Sequence, residues 1–77
     1  NLIGKSVDEA VMDLEKYIDD AYLAHMEKIR IIHGRGTGAL KGAVARVLQK
    51  NHYIESFEPA PFNEGGYGAT IAWLKGK

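Results

Sequence analysis

The residues best suited to chemistry in this chain stand six in a row, His33-Gly34-Arg35-Gly36-Thr37-Gly38. Glycines at alternate positions let backbone amides approach an anion with no Cβ in the way, while Arg35 offers a two-pronged cation and Thr37 a hydroxyl. His33 adds an imidazole, a side chain suited to a phosphate hydrogen bond or to general acid–base transfer. The pattern is a phosphate cradle of neither familiar kind. It has no Gly-Lys-Ser/Thr, and its glycine spacing is not that of the dinucleotide fingerprint. A tight strand-to-helix turn also uses glycine for positive φ, but three alternating glycines exceed what a turn requires. For His33 the competing reading is a side chain packed at a strand end.

Further groups surround this run. Lys41 and Arg46, with Lys50, can join Arg35 in a basic face that grips a sugar-phosphate backbone, or can form a solvated helix surface. Tyr67, within Asn63-Glu64-Gly65-Gly66-Tyr67-Gly68, can stack on a base, or can belong to a plain hairpin loop. His25 and His52 fall at expected helix ends, where a cation suits the dipole. Asp19 and Asp20 are neighbours that point apart on a helix, so they read as a solvated face, and no metal-ligand set is expected.

The elements that must position these groups are legible from periodicity. Ser6 followed by Glu9 is a capping-box signature, and Ala10, Val11, Leu14, Tyr17, Ile18, Ala21 and Tyr22 recur at helical steps behind it. Lys28 to Ile32 is rich in β-branched residues and predicts a buried strand ending at His33, where open α/β sheets place ligands. From Ala39 the helical period returns in Leu40, Ala43, Val44, Val47 and Leu48, with Asn51 ending it. Tyr53 to Phe57 and Ala69 to Leu74 predict two more strands, with Pro59 and Pro61 breaking the first. Asn1 to Gly4 reads as the tail of another strand. The expected fold is an α/β two-layer sandwich in the order β-α-β-α-β-β, a four-stranded mixed sheet with both helices on one face.

Length and composition bound the rest. Seventy-seven residues, 45% of them hydrophobic, fit one domain, 1–77, which reads as a C-terminal fragment of a longer protein. There is no cysteine, hence no disulfide framework or thiolate metal site. No apolar run approaches the roughly 18 residues of a membrane span, so a soluble, cytoplasmic chain with no membrane partner is expected. The formal net charge of zero hides a separation of signs: residues 1–27 carry −5, residues 28–54 carry +6 with no acid, and residues 55–77 carry −1. The positive block is centred on the glycine run and predicts one basic face around it.

The order of motifs is that of a known family. Gly4-x-Ser6-x-Asp8-Glu9-Ala10, then Ile31-Ile32-His33-Gly34-Arg35-Gly36-Thr37-Gly38-Ala39-Leu40-Lys41, then Glu64-Gly65-Gly66-Tyr67-Gly68-Ala69-Thr70-Ile71 resembles the Smr (small MutS-related) domain over almost the whole chain. The Thr-Gly-Ala-Leu extension is similar to the version at the C-terminus of the bacterial second MutS-type ATPases. The resemblance implies a two-layer α/β fold akin to the C-terminal domain of bacterial translation initiation factor three. It implies binding to DNA or RNA, nicking endonuclease activity in several members, and roles in suppressing recombination or in acting on stalled ribosomes. The parent it implies is homodimeric and uses ATP only in upstream domains; a divalent metal for cleavage stays open.

Carried over residue by residue, His33, Gly34 and Gly36 match the family's His-Gly-x-Gly, with Thr37 and Gly38 its extension. The other family motif, Leu-Asp-Leu-His or Leu-Asp-Leu-Arg before a glycine, ends at Gly4. That puts Asn1 at the acidic place and Ile3 at the basic place, so both polar groups are absent. In the expected mechanism, amides of Gly34, Gly36 and Gly38 with Arg35 hold a phosphate, His33 activates water, Lys41 and Arg46 grip the neighbouring backbone, and Tyr67 stacks. The alternative is a non-catalytic docking module for the ribosome or its RNA. A small-molecule phosphate enzyme is disfavoured, because so short a chain offers little enclosing wall.

Overall fold

The structure is a computed structural model and describes residues 2–34, 38–64 and 66–76. Helix α1 (Val7–Leu23) is followed by strand β1 (Lys28–Ile32), helix α2 (Ala39–Lys50), strand β2 (Ile54–Pro59) and strand β3 (Ala69–Leu74). The Ser6 signature does what its chemistry requires: the hydroxyl accepts from the Glu9 amide at 3.2 Å and donates to the Glu9 carboxylate at 2.9 Å. Such a cap stabilises a helix by about 1 kcal/mol. Beside it Lys5 meets Asp13 at 2.7 Å, and this hydrogen bond, with the Asp13 charge, raises the lysine pKa above its ordinary value. The far end of α1 closes with His25 in the left-handed region, φ 60°, its amide donating to the Tyr22 carbonyl and that of Met26 to Ala21. This is the geometry in which glycine usually ends a helix; His25 serves as a backbone stop.

The α1 stripe that reaches the core is narrower than its apolar pattern suggests. Ala10, Leu14, Ile18 and Ala21 are buried, whereas Tyr17 remains exposed. Ala43, Val44 and Leu48 are the buried face of α2, and both helices pack on one side of the sheet against Ile29, Ile31, Ile54, Ala72 and Leu74. Tyr22 stacks on Tyr53 at 4.1 Å and ties the end of α1 to the start of β2. Among the described residues no helix is long and apolar enough to cross a membrane.

The sheet corrects the expected topology. Among the described residues it has three strands in the order β1-β3-β2, with both pairings antiparallel, and is not a four-stranded mixed sheet. The segment expected as a first strand touches the edge of β1 through the Leu2 amide, which donates to the Ile32 carbonyl at 2.6 Å. It then turns away: Gly4 has φ +86°, and the Lys5 amide returns to the Leu2 carbonyl. An edge contact followed at once by a turn does not make a strand. The strand expected to be broken by Pro59 after Phe57 runs on to include Pro59 as its last residue, which is tolerated because β2 is an edge strand.

Candidate phosphate-binding site

The site grows out of the end of β1. The alternation that buries Ile29 and Ile31 continues one step beyond the strand and turns the His33 side chain inward, leaving it 3% exposed. The His33 and Gly34 amides both donate to the Gly68 carbonyl, at 3.0 and 2.9 Å, so the β2–β3 connection is fastened to the start of the glycine loop. His33 Nδ1 lies 2.9 Å from the Gly34 carbonyl, and Nε2 lies 2.9 Å from the hydroxyl of buried Thr70. A carbonyl can only accept, so Nδ1 carries the proton; in the neutral ring Nε2 then accepts from Thr70. Both ring nitrogens are thereby committed to holding the loop.

Backbone conformation at the two flanks explains the glycines there. Gly34 has φ +76° and Gly38, the N-cap of α2, has φ +85°, both in the left-handed region that side chains disfavour. A Cβ on Gly34 would also stand 3.3 Å from Cγ1 of Ile3, a side chain 60% exposed. The position that the family motif reserves for a basic residue therefore borders the loop, with an apolar side chain in place. Gly38 gives no side-chain cap, and no acid lies in the first turn of α2, so nothing there offsets the partial positive charge of the helix end.

The residues singled out from the sequence fall into three groups. His33, Gly34 and Gly38 lie together, and half-buried Lys41 follows in the first turn of α2. Arg35, Gly36 and Thr37, and the side chain of Tyr67, lie outside the described residues. Arg46 is not at the loop. Seven residues along α2 from its start, about 10 Å at helical rise, it lines with Lys50 a groove of about 430 Å³ between the helices, beside Val7, Val11 and Glu15. Lys28 and Arg30 are on the opposite face of the sheet from the helices, so the positive block is divided over three surfaces and not gathered on one. Among the described residues there is no group of three His, Asp or Glu suited to a metal ion, and His33 has no free nitrogen to offer.

One aromatic is not marked by any motif. Phe62 is 91% exposed, on a single-turn helical segment, Phe62–Glu64, in the loop whose Gly68 carbonyl holds His33 and Gly34. Its signal in the sequence is an aromatic directly after Pro61 in a glycine-rich connection, where no strand or helix period would bury it.

Fold and site together define a small two-layer α/β domain with a glycine loop between its buried strand and second helix, fastened from below by a histidine. The family model for the Smr domain matches residues 1–75. The chain belongs to the Smr domain family. It is 52% identical over 97% of its length to the endonuclease MutS2 of Lachnoclostridium phytofermentans and 44% identical over 97% to that of Clostridioides difficile. It spans only 9% and 10% of those two proteins' lengths. Among solved structures it is similar to the Smr domain of Thermus thermophilus MutS2, with TM-score 0.94, 36% identity, and coverage of 96% of this chain and 92% of that one. The stand-alone small MutS-related protein YdaL of Escherichia coli gives TM-score 0.93 and 26% identity, over 97% of this chain and 62% of that one.

Proposed function

We propose that this domain binds nucleic acid, with the glycine loop holding a backbone phosphate. The observation that carries this reading is the fixed pair of ends of the glycine run: Gly34 and Gly38 are both left-handed, Gly38 opens α2, and His33, Thr70 and Gly68 hold Gly34. Arg35 and Lys41 supply charge to the phosphate and its neighbour. In this reading exposed Phe62 stacks on a base of the same strand. Replacing Phe62 by Ala is expected to weaken oligonucleotide binding about five- to thirtyfold, since base–aromatic stacking contributes about 1–2 kcal/mol. The thermal midpoint should stay unchanged, because so exposed a ring holds little of the fold.

A second reading is cleavage of the bound strand as a nicking endonuclease of DNA or RNA, favoured by the name endonuclease MutS2 that the relatives carry. It requires the Thr70 hydroxyl to turn away so that His33 Nε2 can take a proton from water. Within a longer protein, either activity would serve recombination control; docking on ribosomes or RNA without cleavage is the other setting. A plasmid-nicking and RNA-cleavage assay on this chain, with and without chelator, separates the readings. Binding without cleavage is the expected outcome. Cleavage by the wild type that disappears in His33→Gln while binding persists would establish the second reading.

A further inference from the structure

The outer face of the sheet, opposite the helices, carries groups that the glycine loop does not use. Register places them in three rows across β1, β3 and β2. Lys28, Trp73 and Ser56 form one row, Arg30, Ile71 and Glu58 the next, and Ile32, Ala69 and Ala60 the row nearest the loop. No helix residue takes part in the apolar cluster on this side, in which Ala60, Ala69 and Ile71 are buried and only Ile32 and Trp73, packed against them, are partly exposed. Lys28 and Arg30 are exposed, and among the described residues neither takes part in an ion pair. Among the described residues the acids on this face are Glu58 and Glu55, both on the far edge strand; Glu58 lies two strand spacings or about 9.5 Å from Arg30, and Glu55 stands at the bulge beside Ser56.

We infer that this face is a track for a single-stranded polynucleotide, leading from the glycine loop along Ile32, Arg30 and Lys28 with Trp73 as a stacking platform. The inference rests on the nucleic-acid reading above and names the form of the substrate. Three observations support it. The track starts beside the loop, because partly exposed Ile32 on the outer face immediately precedes His33, and Arg30 and Lys28 follow back along the same strand at about 6.6 Å per pair of residues. Its charge suits phosphates along the β1 edge, where Lys28 and Arg30 stand, with Glu55 and Glu58 kept to the opposite edge strand. A partly exposed tryptophan in the middle strand, bordered by a lysine, can stack on bases only when they are unpaired; a duplex keeps its bases stacked on one another.

Trp73 is the only tryptophan in the chain, so its emission reports on this face alone. The 77-residue chain is titrated with labelled twelve-nucleotide oligo-U and oligo-dT and with a twelve-pair duplex, reading oligonucleotide anisotropy and Trp73 emission together. Single strands are expected to bind more tightly than the duplex and to quench Trp73. In a Lys28→Ala/Arg30→Ala variant the affinity should fall about tenfold or more and the salt slope become shallower by about 1.4, at roughly 0.7 per phosphate released from a single strand. Both residues are exposed, so an unchanged melting curve certifies the variant's fold. An Arg35→Ala variant should bind more weakly yet still quench at saturation. Binding with no change in Trp73 emission and undiminished affinity in the double variant, or a preference for duplex, overturns the track while leaving the nucleic-acid reading intact. Absence of binding to any oligonucleotide overturns that reading itself.

Discussion

Replacing His33 by alanine is expected to destabilise the domain by about 2–4 kcal/mol, lowering its melting temperature by roughly 10–20 °C, and to weaken oligonucleotide binding in the fraction that remains folded. The imidazole is buried and bonded at both nitrogens. Its removal leaves the buried Thr70 hydroxyl without an acceptor, at a cost of about 1–3 kcal/mol, and opens a cavity that adds to the loss. Function suffers for a separate reason. The Nδ1–H bond to the Gly34 carbonyl fixes the Gly34 peptide at the entrance of the glycine run, and its loss removes that anchor. His33→Gln, which keeps a donor and an acceptor on one side chain, should recover part of both losses. Thermal melts and binding isotherms on the two variants check this. Wild-type stability in His33→Ala would show that the ring is not a structural member of the site.

Arg35→Ala is expected to lower affinity for an oligonucleotide about 10- to 100-fold at low salt, with stability unaltered. A charge-assisted hydrogen bond to phosphate contributes about 1.5–3 kcal/mol, and loss of one phosphate contact makes the slope of log affinity against log salt shallower by about 0.7–0.9. The change in slope separates this effect from a general loosening of the loop, which would weaken binding at every salt concentration alike. Anisotropy titrations over a salt series give both quantities from one preparation.

Much of the fold is legible in the sequence because its determinants are local. Ser6 and Glu9 meet within one turn, Ile29 and Ile31 alternate within one strand, and Asn51 stands where the α2 period fails. The inward turn of His33 is equally legible, as the next step of the Ile29–Ile31 alternation. Topology is not. Whether residues 2–4 pair as a strand depends on how many backbone bonds the edge of β1 can make with them, and periodicity does not hold that information. Charge is the most misleading signal. A basic block contiguous in sequence, from Lys28 to Lys50, is spread over the outer sheet face, the loop region and the interhelical groove, because successive residues of a strand and of a helix point in different directions. Tyr17 and Phe62 mark the same gap: apolar character says which residues can be buried, and only the packing decides which are.

The central claim is that the glycine loop holds a backbone phosphate of a nucleic acid. It is tested most directly by amide chemical shifts of the labelled domain during titration with a single-stranded oligonucleotide. Saturable movement of the Gly34, Gly36 and Gly38 amides, reversed by added salt and diminished in Arg35→Ala, is the result this account predicts. Saturated binding in which those three amides stay in place while others move would contradict it.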